Sequence, residues 1–87
     1  PLRELPRELW IQFSSREEFA RRERELYEDL KDADGASTVV IYLKDVRAMK
    51  KLPPNRNIGI DGALLEKLHR KYGKDNVKVV EKVLKNF

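Results

Sequence analysis

The sequence predicts an α+β fold. The expected form is a two-layer sandwich in β-α-β-β-α-β order, with a four-stranded, mainly antiparallel sheet and two helices on one face. Three observations carry this. Leu9-Trp10-Ile11-Gln12-Phe13 alternates with period two, as a strand with two unlike faces must. Thr38-Val39-Val40-Ile41-Tyr42-Leu43 is apolar on both parities, as a central strand covered on both sides would be. Between and after these runs, apolar residues recur at helical spacing in two stretches.

The elements follow in order. Residues 1–7 carry two prolines and two arginines with no period, which predicts a linker or the tail of a preceding domain. The domain proper is expected over 8–87. Ser15 and Glu18 form a capping box for a helix over 16–32, whose stripe is Phe19, Leu26, Leu30 and Ala33, interrupted by Arg22 and Glu23. Gly35 is expected to end that helix in a left-handed conformation. After the central strand, Lys44-Asp45 suggests a tight turn, and Val46–Leu52 a lysine-rich edge strand stopped by Pro53-Pro54. Asn57–Ile60 is short and extended. Asp61 is an N-cap for a second helix carrying Leu64, Leu65, Leu68 and Tyr72, ended by Gly73. Val77, Val79 and Val80 form the last strand, which 82–87 could extend or fray. The expected core is Leu9, Ile11, Phe13, Phe19, Leu26, Leu30, Val39, Ile41, Leu43, Leu64, Leu65, Leu68 and Val79.

Composition limits function. At 87 residues with 40% apolar side chains, the chain has one modest core. It has no cysteine, so disulfides, thiolate metal sites and cysteine nucleophiles are excluded. No apolar run approaches the roughly 20 residues that span a bilayer, and no leader-like stretch opens the chain. A cytoplasmic protein with no membrane partner is expected. The first residue is Pro1 and the single methionine is Met49, which predicts a piece cut from something longer.

No catalytic set is visible. The one histidine, His69, flanks an apolar stripe on a helix, where histidine is ordinarily a boundary residue. Glu17-Glu18, Glu28, Asp29, Asp32 and Asp34 read as a solvated charge lattice, without the loop spacing of a calcium site. No glycine-rich phosphate loop occurs. Phe13-Ser14-Ser15-Arg16 lacks the glycine that an acylphosphatase-type loop would need. The chain itself is therefore expected to be no enzyme, with no metal, cofactor or small-molecule substrate.

Charge is uneven. Residues 1–35 hold seven bases against ten acids, and 36–87 hold twelve against five. The basic half attracts phosphate or an acidic protein, or simply keeps a small sheet soluble. Trp10 and Tyr42 fall opposite the core parity, and Arg47, Lys50, Lys51 and Arg56 cluster on and after the expected hairpin. These six are the candidate partner- or nucleic-acid-binding residues. RNA-recognition motifs stack bases on aromatics of the first and third strands. Here the third strand carries no aromatic, so that motif is not met. A single-stranded nucleic-acid binder remains the alternative function.

Several stretches together resemble one family. They are Leu9-x-Ile11-x-Phe13, Gly35 before Val39-Val40-Ile41-Tyr42-Leu43, Lys51-Leu52-Pro53, Asp61-x-x-Leu64-Leu65-x-x-Leu68, and Gly73-x-x-Asn76-Val77-x-Val79. In order and spacing, over about residues 8–80, they look like the extreme C-terminal domain of the bacterial DNA polymerase III alpha subunit. The resemblance implies a non-catalytic accessory domain of a replicative DNA-directed DNA polymerase. It implies protein contacts within the replisome, in some relatives with the tau subunit of the clamp loader. It implies that the nucleotidyltransferase aspartates lie upstream in the parent chain. DNA contact through the basic face would fit that setting.

Overall fold

The computed structural model describes residues 7–81. Residues 1–6 of the expected linker and the stretch 82–87 lie outside the described residues. The chain runs β1 (Arg7–Phe13), α1 (Arg16–Leu30), β2 (Asp34–Leu43), β3 (Ala48–Lys51), a 3-10 turn (Pro54–Arg56), α2 (Gly62–Tyr72), a second 3-10 turn (Lys74–Asn76) and β4 (Val77–Glu81). The β-α-β-β-α-β order and the α+β class are as expected from the sequence. Arg7 belongs to β1 rather than to a linker. Its backbone pairs across from Glu81, and its guanidinium donates to the Ile60 carbonyl at 3.2 Å.

The sheet is mixed, in the order β3-β2-β1-β4. β1 and β2 are parallel neighbours, because α1 returns the chain to the same end of the sheet before β2 starts. β3 is antiparallel to β2, and β4 is antiparallel to β1. The two strand–helix–strand units therefore nest: the first supplies both central strands and the second both edges.

The caps explain the helix bounds. The Ser15 hydroxyl accepts from the Glu18 amide at 3.1 Å, and the Glu18 carboxylate reaches back to the Ser14 amide at 3.0 Å. Asp61 accepts from the Leu64 amide at 2.8 Å. Gly73 ends α2 at φ 96°, where a Cβ would be strained.

Gly35 corrects an expectation. α1 stops at Leu30, capped by Lys31 in a right-handed conformation, and Gly35 lies inside β2. Its role is close approach. A Cβ at Gly35 would run into the backbone of Gly59. There the extended stretch around Ile58 bridges Asp34 and Ser37, and the Gly59 amide donates to the Ala33 carbonyl at 2.7 Å. The hairpin also differs. The turn takes four residues, 44–47, leaving Val46 outside β3. Asp45 shapes it by accepting from the Val46 amide at 2.8 Å and the Arg16 amide at 3.4 Å.

The core joins Leu9, Ile11 and Phe13 of β1 and Val39 and Ile41 of β2 to Phe19, Leu26 and Leu30 of α1 and Leu64, Leu68 and Tyr72 of α2. Phe13 is the hinge of this packing. Its ring meets Phe19 at 5.3 Å and the edge of Tyr72 at 5.9 Å, so one side chain touches both helices. Leu43, Leu65 and Val79, expected inside, are only partly buried, while Leu52, Ile58, Ile60 and Val77 join the core. Leu52 follows the end of β3, and Ile58 and Ile60 alternate over a stretch too short to mark a buried face on its own.

Arg22, which interrupts the α1 stripe, and Asp29, expected in a solvated charge lattice, join the helices, while Glu23 stays within α1 and accepts from the Tyr27 hydroxyl. Arg22 lies over the Tyr72 ring at 4.3 Å and donates to the Lys71 carbonyl at 3.0 Å. The Asp29 side chain is 7% exposed; it accepts from Lys71 at 2.8 and 3.1 Å and from the Tyr72 hydroxyl at 3.2 Å, and pairs with Lys67 at 3.3 Å. Burial pushes the Asp29 carboxyl up, but the hydrogen bonds and charges of Lys71 and Lys67 outweigh it and hold it below the ordinary range. Lys71 is correspondingly raised by its bonds to Asp29 and Glu25. Burial, with Asp29 and Glu25 nearby, pushes the Tyr72 phenol up to about 12.

Three substitutions test these contacts. A carboxylate with a depressed folded pKa contributes stability above its unfolded value of about 3.9 and loses it as pH falls through the lower folded value. Asp29→Asn should therefore destabilise at pH 7 by about 1–3 kcal/mol and flatten the loss of stability below about pH 4, read by urea unfolding across pH. Gly35→Ala should cost about 2–3 kcal/mol through the clash with Gly59. Gly62→Ala, in the first turn of α2 with open space around it, should gain about 0.5 kcal/mol in the same assay.

Candidate functional site

Strand alternation sends every second side chain away from the core. On β1 these are Glu8, Trp10 and Gln12, and on β2 Thr38, Val40 and Tyr42. The strand register arranges them in rows. One row runs Lys78, Trp10, Val40, Lys51 across all four strands. The next runs Gln12, Tyr42, Met49. Val40 is fully buried yet stands outside the core cluster, so the flanking side chains of this second face cover it.

Trp10 and Tyr42 are diagonal neighbours on adjacent strands, a separation of about 7–8 Å between their backbones. Both are half-buried and both line one shallow groove of about 250 Å³, with Gln12, Asn76, Asp75 and Lys78 as its other walls. Gln12 Nε2 donates to Asn76 Oδ1 at 3.3 Å, and Asn76 in turn donates to the Tyr72 carbonyl at 2.7 Å. The amide pair is thus anchored to the end of α2. Trp10 Nε1 donates to Glu8 Oε1 at 3.2 Å, and Lys51 Nζ pairs with the other Glu8 oxygen at 3.7 Å. Glu8 is only 6% exposed, so it acts as a fixed strut holding the indole and drawing Lys51 toward the same face.

The six residues singled out from the sequence do not form one patch. Trp10, Tyr42 and Lys51 share the face just described. Lys50 sits opposite Ile41 in register, on the other parity of β3. Arg47 occupies the hairpin turn at φ 51°, a left-handed backbone that arginine adopts at some strain. Arg56 lies over the Tyr27 ring at 4.8 Å, against α1, beside a separate pocket of about 110 Å³ lined by Leu30, Asn55 and Asn57. Burial and Glu23 raise the Tyr27 phenol there, with Arg56 pulling the other way. Gln12, Asn76 and Lys78 were not singled out. They reach the groove from β1, a 3-10 turn and β4, and only the strand register brings them together.

Exposed apolar side chains gather around this face. Among the described residues the large ones are Val46 (46%), Met49 (59%) and Val80 (41%). Met49 stands opposite Tyr42 and Val80 opposite Glu8 in register, and Val46 lies in the turn beyond Tyr42. His69 is elsewhere, with Nε2 at 3.3 Å from the Val77 carbonyl. Among the described residues no group of three or more His, Asp or Glu side chains is placed to hold a metal ion, and no helix is long and apolar enough to cross a membrane.

The arrangement is suited to binding: two neighbouring rings, an anchored amide pair, and lysines at both sheet edges. Comparison with family models, with curated proteins and with solved structures gives no match to this chain.

Proposed function

We propose that this chain is a binding module that performs no reaction of its own and works through the second face of its sheet. One observation carries this. Trp10 and Tyr42 stand side by side on the two central strands, half-exposed, with Met49 and Val80 also uncovered around them. A small protein gains nothing in stability from leaving such rings and apolar side chains in water, and uncovered patches of this kind mark interaction sites.

The sequence resemblance supplies the setting. In it the module is the accessory domain at the C-terminal end of a bacterial replicative DNA polymerase, in the cytoplasm. Its ligands there are other replisome components, the clamp-loader tau subunit among the proteins, and DNA.

This chain, immobilised, should retain clamp-loader subunits at tens of micromolar. Retention of none of them rejects the replisome setting. Tyr42→Ala should weaken whichever replisome ligand is captured by roughly tenfold while leaving the melting temperature nearly unchanged, since Tyr42 lies outside the core. An unchanged affinity rejects the sheet face as the working surface.

A further inference from the structure

We infer that the ligand of the sheet face is a single-stranded nucleic acid, with bases stacked on Trp10 and Tyr42 and the backbone held by Lys78 and Lys51. The inference rests on the proposal that this face is the working surface, and it commits that surface to one occupant.

Topology is the first ground. Stacking platforms on sheets need aromatics on neighbouring strands near the middle of the sheet. The strand beside β1 is β2, not β3. The lack of an aromatic on β3 is therefore irrelevant, and Tyr42 on β2 takes the position next to Trp10. The two rings stand on diagonal positions of adjacent strands, at a spacing that lets successive bases lie over successive rings.

Charge is the second ground. Lys78 and Lys51 end the row that contains Trp10, one on each edge strand, three strand spacings or about 14 Å apart. Lys44 and Arg47 add exposed cations in the turn just beyond Tyr42 and Met49. The nearby acids are mostly engaged. Asp45 accepts from two backbone amides, and Glu8 is buried against Trp10 and Lys51. Asp75 remains exposed on the groove rim beside Lys78. Cations on both sides of an aromatic pair fit a chain with a charged backbone and flat bases better than they fit an apolar protein segment.

The groove lining is the third ground. Gln12 and Asn76 offer amide donors and acceptors beside the rings, and both are positioned by hydrogen bonds. A base presents one flat apolar face and a polar edge, and the groove presents both surfaces together.

The test is anisotropy of a labelled oligothymidine of about 12 nucleotides, titrated with this chain and its variants at several salt concentrations. With two to four phosphate contacts, affinity should fall about 7- to 50-fold between 50 and 200 mM salt. Trp10→Ala and Tyr42→Ala should each weaken binding roughly fivefold or more, with Trp10→Phe retaining most of it. Lys51→Ala with Lys78→Ala should make the logarithmic salt slope shallower by about 1.4. Arg56→Ala, on the α1 side, should change neither quantity. Circular dichroism of each variant separates lost binding from lost fold. No binding at 50 mM salt, or binding with no salt dependence, overturns the inference. If the oligonucleotide fails while Tyr42→Ala still weakens a captured replisome protein, the sheet face stands and its occupant is a protein. If the Trp10 and Tyr42 variants alter neither ligand, the inference and the proposal beneath it both fall.

Discussion

Six consecutive residue pairs hold β1 parallel to β2, and a parallel pair can form only where a crossover carries the chain back to the same end of the sheet. α1 is that crossover, and its length and caps decide the arrangement on both sides of the sheet. Toward the helices, parallel pairing lines up Leu9, Ile11 and Phe13 with Val39, Ile41 and Leu43. Away from them, it lines up Trp10 and Gln12 with Val40 and Tyr42. A shift of the pairing by one residue would turn each of these sets over, so core and candidate site are fixed by one register. The second crossover then has only the two outer places to fill, and its strands contribute Lys51 and Lys78 to opposite margins.

The helix side is held by few contacts of high consequence. Phe13 reaches both helices, so neither can move along the sheet independently without opening space at that ring. Asp29, Lys71, Tyr72 and Arg22 form the polar counterpart, in which a nearly buried carboxylate is matched by two ammonium groups and a phenol. Such a junction adds less net stability than its short distances suggest, because each charge gives up water to form it. Its greater effect is to fix how α1 and α2 sit against one another. The end of α2 in turn positions Asn76, so the polar lock on one side of the sheet sets the amide pair on the other.

Much of this was readable from the residues. Ser15 and Asp61 cap because a short polar side chain beside an apolar period has that one local use, and Gly73 follows a periodic stretch that must stop. Gly35 reads as a helix stop because a glycine after a helix and a glycine under a crossing backbone look alike in sequence. Only Gly59, more than twenty residues on, distinguishes them. Leu52 sits past the end of β3 and the Ile58, Ile60 alternation is only two residues long, so their burial shows only in the folded chain. Of the candidate site, Trp10 and Tyr42 were visible through parity. Their adjacency was not, since strand order is a property of the whole topology. Lys50, Lys51, Arg47 and Arg56 looked like one basic group because they are close in sequence. A strand sends neighbours to opposite faces and a turn redirects the chain, so the group disperses in space.

The antiparallel union of β1 and β4 sets Arg7 directly across from Glu81, so the described chain starts and finishes at one corner. Tension drawn through those two points would load the bonds between these strands singly, from that corner inward, as a zipper opens. It would not strain them all at once, as happens when strands are dragged lengthwise past each other. The fold is thus mechanically soft to force applied at that corner, and the edge strand that peels away there carries Lys78 with it.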